Sequence, residues 1–137
     1  MNEPRRQPWI RAALLVGAGY LVIGKVFSLP TDHVQAWRLA AWAASGVAYA
    51  AHIRYEHFTL GNSPRLSALH VAVGVAIGAF ALAVAGMIHS LTTTSTIRPA
   101  WLLALVLWPI LTGVPAFLGA FVAGSVLPKP PVAKRGE

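Results

Sequence analysis

AWRLAAWAASGVAYAAHIRYEHF (residues 36–58) is followed by the turn TLGNSP (59–64) and then, after Arg65, by LSALHVAVGVAIGAF (66–80). Two long apolar runs joined by a short polar turn read as a helical hairpin, and a short turn makes its arms antiparallel neighbours. Gly61-Asn62 and Ser63-Pro64 are the turn signals. Each arm carries a histidine close to the turn, His52 before it and His70 after it. At 100° per residue, Arg38, Ser45, Tyr49, His52 and Glu56 fall within about 60° of one another. A polar stripe therefore runs along an otherwise Ala-, Val-, Leu- and Trp-rich helix. Polar side chains are costly against lipid, so the stripe is expected to face the bundle interior or a wet cleft.

The rest of the chain supports lipid as the solvent. Hydrophobic residues make up 56% of the 137 residues and charged residues only 11%. A soluble domain carries about 25% charge. The fold class expected is an all-α integral membrane protein: a four-helix transmembrane bundle of antiparallel up-down topology, in one membrane domain. Its spans are expected at about 9–29, 34–58, 65–91 and 100–127, near the 20 residues a bilayer needs. The tails 1–8 and 128–137 are proline-bearing and basic and are expected to be disordered.

Arg5, Arg6 and Arg11 ahead of an apolar run also resemble the start of a signal peptide. Lys25, Val26 and Phe27 stand where a small-residue cleavage site belongs, so the run is read as a retained first helix. Trp9 is its interfacial anchor. TTTST (92–96) with Pro99 reads as the loop between the third and fourth helices. The fourth helix holds Pro109 and Pro115, and Thr112 is expected to satisfy a carbonyl they free.

The net charge of +7 comes from Lys and Arg at the edges of apolar runs. That placement orients a membrane protein and does not build a nucleic-acid face. With both termini in the cytoplasm, the inner side holds Arg5, Arg6, Arg11, Arg54, Arg65, Lys129, Lys134 and Arg135, and the outer side Lys25, Arg38 and Arg98. The expected location is the cell (inner) membrane, multi-pass, with both termini and the 59–64 turn cytoplasmic.

Two stripes of small residues mark the packing faces. Gly74 and Gly78 lie on the His70 side of the third helix, and Gly113, Ala116, Ala120 and Gly124 share a face of the fourth. Small residues let backbones approach closely in membranes. The second helix, as the hairpin neighbour, is the expected partner of the Gly74/Gly78 groove.

The chemistry on offer is narrow. There is no cysteine, which excludes disulfides and thiolate sites. No zincin helix, phosphate loop or serine nucleophile motif occurs, so no enzyme is expected. The four acids, Glu3, Asp32, Glu56 and Glu137, all lie away from the middle of a span, which argues against a proton-coupled exporter. The sharpest constellation is His52, Glu56, His57 and His70. The plain reading is interhelical glue with no cofactor. Alternatively, facing imidazoles ligate haem iron from both sides, so haem b, a quinone, or a divalent metal with Glu56 as third ligand are the groups this pattern admits. His33 and His89 make a weaker outer pair. The expected function is a non-enzymatic membrane subunit or accessory protein. Its partners are the bilayer and other membrane proteins or a second copy of itself. A haem- or quinone-binding anchor using His52 and His70, or a small channel or transporter using the polar stripe, are the alternatives.

Overall fold

The computed structural model describes residues 7–94 and 99–128. Among them the chain is all-helical: α1 (Pro8–Val26), α2 (Val34–Arg54), a π-helical turn (Tyr55–Thr59), α3 (Pro64–Thr94) and α4 (Pro99–Val126). Three of these, α1, α3 and α4, are long and apolar enough to cross a membrane. The expected disordered tails, apart from Gln7, Pro8 and Pro128, and the 95–98 part of the third loop lie outside the described residues.

Prolines open three of the helices, at Pro8, Pro64 and Pro99. In the first turn the missing N–H has no intrahelical role, so proline is tolerated there. Gly61 takes a φ of 63° in the hairpin turn, a backbone state open to glycine at little cost.

α3 is the central element, with α1 along one side and α4 along another. The buried apolar side chains are mostly small: Ala13, Ala68, Val71, Ala79, Ala83 and Ala120. Backbones therefore meet almost directly. A Cβ added to Gly78 would lie 2.6 Å from the Tyr20 Cβ and 3.1 Å from the Gly17 carbonyl oxygen, and one added to Gly17 would lie 2.7 Å from Ile77. Gly24 lies in the same way against Leu82, so α1 and α3 run parallel. α3 and α4 run antiparallel, with Gly86 against Trp101 at one end, Gly113 against Ala76 midway and Gly124 against Pro64 at the other. The Gly113–Gly124 stripe thus faces α3.

The Gly74/Gly78 groove takes α1, where α2 was the expected partner. α1 supplies its own small residues, Ala13 and Gly17, so both backbones close together. α2 inserts only the His52 ring, 3.0 Å from where a Gly74 Cβ would lie. Along the rest of its length α2 leans away. Leu39, Trp42 and Val47 are 66%, 80% and 71% exposed. A cavity of about 580 Å³, lined by Tyr20, Trp42, Ser45, Tyr49 and Trp108, separates it from the other helices.

Two local expectations are corrected. Residues 92–94, expected in a loop, continue α3, because their hydroxyls bond back to the carbonyls of His89 and Ser90 at 2.7–2.9 Å. Thr112 does not reach the carbonyls that Pro109 and Pro115 free, those of Leu105 and Leu111. Its hydroxyl donates to Trp108 (2.8 Å) and Pro109 (3.3 Å). A threonine on a helix reaches only three or four residues back.

Candidate functional site

The start of α3, the start of α1, the end of α2 and the end of α4 lie together, and here the buried polar groups gather. His52, Glu56, His57, Ser67 and His70 are all buried. α2 delivers His52 from its last full turn. The π-helical turn that follows carries Glu56 and His57 inward, and such turns recur where a helix must re-aim a side chain.

Glu56 is the hub, with 0% exposure. Its Oε2 accepts from His70 Nδ1 and from Asn62 Nδ2, each at 2.7 Å. Its Oε1 faces His52 Nε2 at 3.6 Å, beyond hydrogen-bond range. An ionised carboxylate only accepts, so the His70 proton sits on Nδ1.

The remaining histidines divide. Trp9 stacks on His70, with ring centroids 4.3 Å apart and planes 6° from parallel. Both nitrogens of His52 are sealed in, without a hydrogen-bond partner among the described residues. His57 turns away from Glu56, and its Nε2 lies 3.0 Å from the Pro128 carbonyl, where it pins the end of α4. His33 and His89 are exposed.

The polar stripe of α2 therefore changes character along its length. Arg38 is exposed and Ser45 is half-buried beside the cleft. Tyr49 donates to the Ala116 carbonyl at 2.6 Å, and His52 and Glu56 are sealed. A continuous polar conduit does not follow from that gradient. Tyr49→Phe is expected to cost about 1 kcal/mol, the usual net worth of one hydrogen bond. Unfolding of the two proteins in the same detergent measures the difference.

His52 and His70 share a carboxylate. An iron held between them would have to displace Glu56, which contacts both rings. Among the described residues no group of three or more His, Cys, Asp or Glu side chains is arranged to hold a metal ion. Three members of the cluster, Trp9, Asn62 and Ser67, were not singled out in the sequence as part of it. Trp9 read as an interfacial anchor and Asn62 as a turn residue. The short spacing from Glu56 to Asn62 across the turn is a signal that could have found Asn62; none marks Ser67 or Trp9.

Beside His70 a second cavity of about 580 Å³ opens, lined by Pro8 and Trp9 of α1, by Leu60 and Asn62 of the turn, and by Leu66, Leu69, His70 and Val73 along one face of α3. Comparison of the chain with protein-family models, with curated proteins and with solved structures gives no match.

Proposed function

We propose that this chain is a four-span protein of the cell (inner) membrane, with both termini cytoplasmic, that works as a non-enzymatic subunit through helix–helix contacts. One observation carries the reading. α2 is anchored by His52, the π-helical turn and Tyr49, while Leu39, Trp42 and Val47 lie open. Its residues Gln35, Arg38, Ser45 and His52 leave it less apolar than the other helices. A polar-bearing span gains from a protein neighbour more than from lipid. The partner is another membrane protein or a second copy of this chain.

The chain has no cysteine, so single-cysteine variants report cleanly. Trp42→Cys and Val47→Cys in native membranes are expected to cross-link to a second polypeptide with a short bifunctional maleimide. Leu15→Cys on α1, also exposed, is the control. Equal cross-linking at all three positions, or none, removes the support for α2 as the contact helix.

A further inference from the structure

We propose that the cleft between α2 and the other helices binds the ring of a neutral, carbonyl-bearing membrane-soluble molecule of the quinone class, with the hydroxyls of Tyr20 and Ser45 donating to its carbonyl oxygens. All four helices line this cavity of about 580 Å³: Tyr20 from α1, Trp42, Ser45 and Tyr49 from α2, Val75 from α3 and Trp108 from α4. It lies midway along the bundle. Trp42 and Trp108 stand eight (42 − 34) and nine (108 − 99) residues inside the starts of α2 and α4. That is roughly 12–14 Å along each axis at 1.5 Å per residue.

Two hydroxyls in the cleft lack partners. Serine and threonine hydroxyls on a helix commonly return to their own carbonyls, as those of Thr112 and Ser125 do. Tyr49 donates across to Ala116. Tyr20 and Ser45 do neither, and they make no hydrogen bond among the described residues. Both side chains are half-buried, and neither oxygen is sealed. An unpartnered hydroxyl is costly where water is absent. Each hydroxyl has a proton to give, so an acceptor satisfies both.

The walls and the depth narrow the class of acceptor. An acyl chain fills the space but accepts nothing, and phospholipid ester carbonyls lie outside the hydrocarbon core, away from mid-span. None of the residues lining the cleft is Lys, Arg, His, Asp or Glu, so the ligand is neutral. Tryptophan is usual in the interfacial belts. At mid-span Trp42 and Trp108 instead give the cleft two aromatic faces, which suit a flat ring. The volume is in the range of a small-molecule site. An oxidised quinone combines these properties: a flat neutral ring with carbonyl oxygens on opposite edges. Its tail leaves through the side open to lipid, where Trp42 and Leu111 are 80% and 61% exposed. The site rests on the membrane placement of α2 proposed above, which cysteine labelling tests separately from ligand binding.

Isothermal titration of the full chain in phosphatidylcholine nanodiscs is the test, with empty nanodiscs as the blank and decylubiquinone and decylbenzene as probes. Decylubiquinone is expected to bind saturably and about tenfold tighter than decylbenzene, which has a ring and a chain but no carbonyl. Tyr20→Phe keeps the ring that packs on Gly78 and removes only the O–H, and Ser45→Ala removes the other donor. Each is expected to weaken decylubiquinone binding about fivefold, and the double variant more than either. Leu69→Trp narrows the separate cavity beside His70 and is expected to leave binding unchanged. Four results overturn the proposal: no saturable heat above empty nanodiscs, equal affinity for decylbenzene, full affinity in the double variant, or a comparable loss in a Leu69→Trp protein that melts as the wild type does.

Discussion

Glu56→Ala is expected to lower the stability of the fold by about 3–5 kcal/mol, the range for removing one partner of a buried charged pair. Glu56 is fully buried and accepts from His70 and Asn62, with His52 beside it. Removing the carboxylate strands donors on the 60–63 turn and on α3 in a place water reaches poorly. Each stranded group then bears its own desolvation cost. Glu56→Gln is expected to cost less, since its amide oxygen can take the place of Oε2, which accepts both hydrogen bonds, while its NH₂ takes the place of Oε1 beside His52. Denaturant unfolding of wild type and variants in one detergent measures this. A Glu56→Ala penalty under about 1 kcal/mol, the worth of a single ordinary hydrogen bond, contradicts the hub assignment.

Gly78→Leu is the second large effect. Its added Cβ alone would sit 2.6 Å from the Tyr20 Cβ and 3.1 Å from the Gly17 carbonyl oxygen. Neither neighbour is the free end of a flexible chain, so α1 must move off α3. Overpacking of this kind costs about 1–3 kcal/mol, and a helix displacement puts it at the upper end. Val75→Leu enlarges a side chain beside the α2 cleft, where there is room, and is expected to change stability by less than about 0.5 kcal/mol. Melting curves of the two variants decide the matter, and equal midpoints would refute the close α1–α3 contact.

The helices were legible because the apolar runs are long and the turn signals are strong. The 52/56 spacing and the short hairpin also carried the encounter of His52, Glu56 and His70, since both arms place their polar residues near one turn. What pairs with the glycine groove was not legible. Hairpin connectivity favours α2, but Ala13 and Gly17 let α1 come closer, and a close approach is set by the small residues of both helices. The π-helical turn at Tyr55–Thr59 left no pattern in an apolar count. The continuation of α3 through Thr94 was hidden by threonine's preference for loops, which side-chain bonds to His89 and Ser90 override. Trp9 joins the site through a ring contact across 61 positions of sequence (70 − 9), which no local spacing encodes.

The four-span architecture turns on α2, the helix whose composition is least decisive. If α2 crosses the membrane, the loop before it and the turn after it lie on opposite sides. Thr31→Cys and Ser63→Cys, each the sole cysteine of its variant, place a thiol in each segment. Labelling of intact cells with a membrane-impermeant maleimide is the direct measurement. The account predicts that Thr31→Cys reacts from outside and that Ser63→Cys reacts only after the membrane is opened. Reaction of both from outside, or protection of both until lysis, would place α2 on one side and contradict the four-span protein.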